Sequence, residues 1–197
     1  MNAQYALIRT SSGELAYITK CFDRVKRNKI HVEDLCQLSE LFTEQKYKRS
    51  YERVGKIIRQ YTTNSGLDAI RYLRLVLFSF LVGNNDMHLK NFSLVHTQNG
   101  VFFSPAYDLL NENLIFHGDK EELALTLAGR KRKIKRSDFD QFATSLEITD
   151  IVRNNVYKDF SNQIYKAVNL INRSFLNTDY KERYINILHD KFKQLGL

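Results

Sequence analysis

Gly83-Asn84-Asn85-Asp86-Met87-His88-Leu89-Lys90-Asn91 is the stretch on which the reading of this chain turns, together with Tyr107-Asp108-Leu109 a short distance on. It sets an acid, a histidine, a lysine and an amide within six positions, directly after an apolar run that should be buried. Loops carried on a rigid scaffold are where binding and catalytic groups collect. Asp86 stands five residues before Asn91, and a further acid, Asp108, follows an apolar segment interrupted by Asn99-Gly100. Asn-Gly between two such runs is a strong hairpin signal, and a hairpin returns Asp108 towards Asp86.

That spacing suits phosphoryl transfer, in which a protein aligns a hydroxyl and neutralises phosphate charge. In the pattern H-R-D-x-x-x-x-N the Asp takes the hydroxyl proton, the Asn holds magnesium, and a later Asp holds more. Here Asn84-Asn85 occupy the His-Arg positions. Magnesium takes few protein oxygens and keeps several waters, so an amide and a carboxylate suffice. Asp86 is thus the candidate base, Asn91 and Asp108 the candidate metal ligands, and Lys90 a point charge for the transferring phosphate. The duller reading makes Asp86 and Asn91 turn residues bonded to their own backbone. His88 is grouped with Asp86 and Lys90 in the candidate catalytic loop, as a structural hydrogen-bonding group in preference to a metal ligand, since no second histidine stands at ligand spacing; His96 and His117 are read as ordinary residues lacking ligand company.

Working outward, Leu67 to Val82 is the strongest helical segment, apolar on most sides after Arg74, and Gly83 ends it. Ser50 should cap a helix bearing Val54, Ile57, Ile58 and Tyr61 on one face, broken at 62–66. Val32 to Phe42 also has near-helical apolar spacing, whereas 43–49 is charged and loop-like. Tyr5–Arg9 and Leu15–Thr19 read as a hairpin around Ser11-Ser12-Gly13, with a polar connection from Arg24 to Lys29. After Pro105, Glu121 to Ala128 reads as a short helix or turn and Leu109 to His117 has no clear type. Ser137 is the expected cap of a helix through Phe139, Phe142 and Leu146. Helices over 150–175 and 178–195 close the chain, with Gly196 as a stop. The fold class is mainly α with two small β-hairpins (α+β), divided into a hairpin and linker over 1–24 and a helical lobe over 25–197.

The charge balance, 30 Lys and Arg against 22 Asp and Glu for a net +8, favours acidic partners. Much of it is local, since Arg130 to Arg136 puts six bases into seven positions. That run is either a solvated loop or a grip for phosphates or an acidic partner; a helix start is an unfavourable place for it on dipole grounds. Direct nucleic-acid binding rests on nothing else. Cys21 and Cys36 form no Cys-x-x-Cys pattern, which argues against a zinc centre or a disulfide framework. The longest apolar run falls far short of the ~20 residues of a membrane span, and no signal peptide opens the chain, so a cytoplasmic location is expected.

The stretch from Gly83 to Ser93, with Ser104-Pro105-Ala106-Tyr107-Asp108-Leu109-Leu110, resembles the HipA family of bacterial serine/threonine kinases, the toxins of type II toxin–antitoxin modules. Phe22-Asp23-Arg24 and His31 to Cys36 resemble that family's segments between its two lobes. The resemblance implies a kinase-like carboxy-terminal lobe, ATP and Mg2+ as cofactors, and Asp86 as base with Asn91 and Asp108 on the metal. It also implies Lys20 and Phe22 at the linker beside adenine. It implies a DNA-binding antitoxin as partner and a protein substrate such as an aminoacyl-tRNA synthetase. Three features depart from the family pattern. Sixteen residues precede Tyr17, too few for the usual upper lobe; none of the eight glycines cluster into a phosphate-covering loop; and Lys20 stands where an acid is expected. The alternative is therefore a non-catalytic, pseudokinase-like module that docks an antitoxin or a separate amino-terminal lobe, with an exposed apolar patch at the join.

Overall fold

The computed structural model describes residues 3–114 and 121–197. Two helices form the centre. Ser50 caps α2 (Tyr51–Tyr61), its hydroxyl accepting from Arg53 N–H, and α2 buries Tyr51, Val54, Ile57 and Ile58. α3 (Ser65–Leu81) buries ten of its residues. A Cβ on Gly55 would fall 2.0 Å from Leu146 Cδ2, which explains a glycine inside α2. Between these helices and the sheet lies an aromatic cluster: Tyr72 meets Phe92, Phe103 and Phe142 edge-on at centroid distances of 5.2, 5.7 and 5.6 Å. Such edge-to-face pairs add about 0.5–1.5 kcal/mol each beyond their burial.

At the amino terminus β1 (Tyr5–Arg9) pairs antiparallel with β2 (Leu15–Thr19), as the sequence implies. The polar connection that follows contains a further small pair, β3 (Arg24–Val25) and β4 (Asn28–Lys29). The expected helix over Val32 to Phe42 is corrected: β5 (His31–Asp34) is a strand, and only α1 (Leu35–Leu38) is helical. β5 pairs with β6 (Ser93–Thr97), which pairs with β7 (Gly100–Phe103), so the second hairpin belongs to a three-stranded sheet. A strand from elsewhere in the chain outweighed local apolar spacing, as tertiary pairing often does. Asp34 ends that strand and starts α1, exchanging bonds of 2.8 and 2.9 Å with Gln37 in a capping box.

After the site loops the structure departs from expectation twice more, at the helix start near Ser137 and over 150–175. Of the helix or turn expected over Glu121 to Ala128, the structure has bends leading into a turn at Ala128 and Gly129; Leu123, Leu125 and Leu127 are buried along it, and the Thr126 carbonyl accepts from Tyr51 N–H. α4 (Arg136–Ser145) starts before Ser137, and its first turn is closed by the Asp138 carboxylate accepting from Lys135 N–H at 2.7 Å. The long helix expected over 150–175 is two, α5 (Asp150–Ser161) and α6 (Ile164–Asn172). Between them Gln163 N–H bonds Phe160 O, tightening the turn at Ser161 and Asn162, which are weak helix formers. α7 (Thr178–Leu195) ends at Gly196, left-handed at φ 64°. Of the segment from Leu109 to His117, Glu112–Leu114 is a 3-10 turn, while His117 and Gly118 lie outside the described residues.

The basic run is partly consumed by this architecture. Ile134 is fully buried within it, Lys131 pairs with Glu121 at 3.1 Å, and Arg136 lies 3.7 Å over the Tyr157 ring. No helix among the described residues is long and apolar enough to cross a membrane.

Candidate active site

The loop begins with the end of α3. Gly83 adopts φ +75°, Asn84 N–H reaches back to Ser79 O at 2.8 Å, and Gly83 N–H to Phe80 O at 3.3 Å. This is a Schellman closure, which needs a left-handed residue at Gly83. Beyond it Met87, His88 and Leu89 are buried in succession, while Asp86 and Lys90 on either side of them are half-exposed. Two tyrosines fix the height of the loop above the core. Tyr72 OH donates to Tyr51 O at 3.0 Å, and Tyr51 OH donates to Met87 O at 3.1 Å. Burial pushes both phenols above their ordinary pKa, so they remain donors.

Asn91 and Asp108 come together as the spacing implies. Asn91 Nδ2 donates to Asp108 Oδ2 at 2.9 Å and to the Asp86 carbonyl at 3.0 Å. Asp108 has φ +54°, an uncommon conformation for a residue with a Cβ, of the kind that collects at functional sites. Asn84 ties the two acid-bearing segments: its Oδ1 accepts from Asp86 N–H at 3.2 Å, and its Nδ2 donates to Asp108 O at 3.3 Å. Asn85, also buried, reaches the Glu121 carbonyl at 3.3 Å. The two asparagines in the His-Arg positions are thus internal struts.

Around Asp86 the structure adds a residue that the sequence reading passed over. Tyr47 OH donates to Asp86 Oδ1 at 2.6 Å, from the charged loop before α2. Its 39-residue separation from Asp86 leaves no local signal. His88 is buried with Nε2 3.7 Å from Asp86 Oδ2 and its ring edge-on to Tyr47. Burial lowers its pKa, and Lys46 adds to this, against the opposing pull of Asp86. The imidazole thus lies between Tyr47 and the Asp86 carboxylate.

Lys90 does not stand free. Its ammonium pairs with Asp34 Oδ2 at 2.9 Å, and that hydrogen bond raises its pKa. The Lys90 carbonyl accepts from Tyr107 OH at 2.8 Å; Ser93 Oγ lies 2.6 Å from the same hydroxyl. Burial pushes the Tyr107 phenol up to about 12. Phe22 packs on Tyr107 at 5.4 Å between centroids, which brings the linker to the site's edge. Lys20 is exposed, and its N–H already donates to Gln4 O at 2.8 Å. A cavity of about 460 Å³ lies elsewhere, between Arg71, Phe78, Pro105 and Phe160, and includes none of Asp86, Asn91 or Asp108.

Asn91 and Asp108 offer only hard oxygen ligands, one amide and one carboxylate in contact, and so fit a magnesium ion. A helical body, an Asp-x4-Asn loop and a second Asp returned by a hairpin together define a kinase-type carboxy-terminal lobe. More narrowly, the chain belongs to the HipA-like C-terminal domain family, whose model matches residues 2–170.

Among its relatives, the Sinorhizobium fredii protein Y4dM, provisionally named a kinase, is 35% identical over 136 residues, 66% of this chain and 32% of that protein. The serine/threonine-protein kinase toxin HipA of Shewanella oneidensis is 27% identical over 134 residues, 56% of this chain and 31% of that one. The chain spans roughly a third of the length of these curated relatives. A chain of the HipA, HipB and operator DNA complex of Shewanella oneidensis superposes with TM-score 0.80 at 19% identity, over 100% of this chain and 52% of that one. The Helicobacter pylori proinflammatory kinase CtkA gives 0.63 at 14% identity, over 98% and 74%. At such identities both speak to the fold alone.

Proposed function

We propose that this chain is the catalytic lobe of a HipA-like, ATP-dependent serine/threonine protein kinase. The observation that carries the reading is the convergence of Asn91 on both Asp108 Oδ2 and the Asp86 carbonyl, at 2.9 and 3.0 Å. Asp86 accepts the proton of a substrate hydroxyl as its oxygen attacks the γ-phosphorus and the bond to the ADP oxygen breaks. Tyr47 and His88 hold the Asp86 carboxylate in place. Asn91 and Asp108 hold magnesium, which when bound neutralises phosphate charge. Lys90 acts through its pairing with Asp34, or turns to phosphate once nucleotide competes for it. Phe22 borders the adenine side, with Lys20 beside it, and residues 1–24 serve as a hairpin remnant of the upper lobe together with the linker. The proposal includes a protein substrate and a DNA-binding antitoxin partner, a reading supported by family membership.

Phosphate transfer from labelled ATP is the test, on this chain and on Asp86→Asn, with calorimetric MgATP titration of both and of Asp108→Asn. Transfer lost in Asp86→Asn with MgATP binding intact, and binding lost in Asp108→Asn, is the expected pattern. Undiminished turnover by Asp86→Asn refutes the role.

One observation favours a second reading, a module that docks a separate amino-terminal lobe. The β1–β2 ribbon exposes Leu7, Ile8, Leu15 and Ile18, with Tyr5 and Tyr17 65% and 66% exposed. A lone two-stranded ribbon is marginal in water, so this one calls for a cover. MgATP binding without transfer, restored by a supplied upper lobe, would separate the two readings.

A further inference from the structure

We propose that His31, Glu33 and His96 form a divalent transition-metal site, best matched to zinc, at the outer end of the three-stranded sheet, beyond the core-packed Leu94 and Phe103 of the same face. The antiparallel register sets His31 directly opposite His96, and Glu33 shares the face of His31 two residues along β5. Glu33 Oε2 lies 3.3 Å from His31 Nε2 and 2.9 Å from His96 Nε2, and the imidazole centroids are 4.6 Å apart.

Three features favour a ligand set over a surface ion pair. Both rings turn the same nitrogen towards the same carboxylate oxygen. A carboxylate oxygen only accepts, so each nitrogen must bring it a proton or share a cation with it. His96 Nε2 is buried and, although close to Glu33, lacks the alignment of a hydrogen bond. The ligand atoms of all three residues lie within 4.8 Å of one another. Bonds of about 2.0–2.1 Å to a tetrahedral zinc put neighbouring ligands about 3.3 Å apart, so small rotamer shifts complete the geometry.

Two imidazoles and a carboxylate suit zinc, whereas magnesium and calcium prefer all-oxygen shells. The half-exposed setting leaves the remaining position to water or to a group from a bound partner. Such an ion cross-links β5 to β6 through ligands one and three residues along the strand from Asp34, the residue that holds Lys90. The site is independent of the phosphoryl-transfer reading.

The test is titration of the full chain with zinc by calorimetry, repeated with cobalt to read ligand-field absorption. Variants are His31→Ala, Glu33→Gln and His96→Ala, with His189→Ala as control. His31 is largely exposed, with a side chain 66% accessible, so its replacement leaves the fold intact, as circular dichroism would verify. One saturable equivalent is expected in the parent chain and the control, with a rise in Tm. Saturable binding and the tetrahedral cobalt spectrum should be lost in His31→Ala. Absence of binding in the parent, or binding indifferent to all three substitutions, overturns the assignment.

Discussion

Replacing Asn84 with alanine should loosen the site and destabilise the whole chain, by an amount the structure bounds. Its side chain, 1% exposed, joins Asp86 N–H to Asp108 O through bonds of 3.2 and 3.3 Å. A net hydrogen bond is worth about 0.5–1.5 kcal/mol, and a buried group left without a partner costs about 1–3 kcal/mol. Asp86 is half-exposed, so water can recover part of its loss, and both bonds are long. About 1 kcal/mol for each gives a total of about 2 kcal/mol, or a fall in Tm of about 4–8 °C for a chain of this size. Scanning calorimetry and urea unfolding at unchanged m-value would read it. Asn84→Asp keeps the acceptor for Asp86 N–H, removes the donor to Asp108 O, and adds a third carboxylate, so its deficit should grow from acid to neutral pH. A fall of less than about 1 °C in Asn84→Ala would refute the strut.

His88 predicts an acid limb. Burial first, and then Lys46, hold its pKa below the ordinary 6.5 despite Asp86, so the unfolded chain takes up its proton first as pH falls. Stability should decline below about pH 6.5, until His88 protonates in the folded state too. His88→Gln should flatten that limb in pH-dependent urea unfolding; an unchanged limb would assign it to another group. Gly83→Ala should cost about 1–3 kcal/mol by urea titration, because left-handed backbone disfavours alanine. The added Cβ would also sit 3.1 Å from Asn111 Oδ1 and 3.2 Å from Ile187 Cγ2. A neutral outcome would show that the loop tolerates another exit from α3.

The parts of the fold written in local spacing were legible. Ser50 marked the start of α2, Gly83 the end of α3, and Asn99-Gly100 the β6–β7 turn. What depended on distant partners was not. β5 looked helical because its apolar residues are few and its partner strand is some sixty residues away. With β5 misread, His96 lacked ligand company, although His31 faces it across the sheet. In the site, the Asp86–Asn91–Asp108 grouping could be anticipated because a hairpin brings its members back together. Tyr47 and the Asp34–Lys90 pair could not, since each joins loops separated by 39 or 56 residues.

The hydrogen-bonded chain from Tyr72 through Tyr51 to the Met87 carbonyl couples the core to the loop above it. Phenylalanine at position 51 would fill nearly the same volume, yet it would release the loop that carries Asp86. Two hydroxyls at the centre of the protein therefore set the position of a loop at its surface. A substitution in the α2–α3 interior is thus felt through the position of the acid loop as well as through packing.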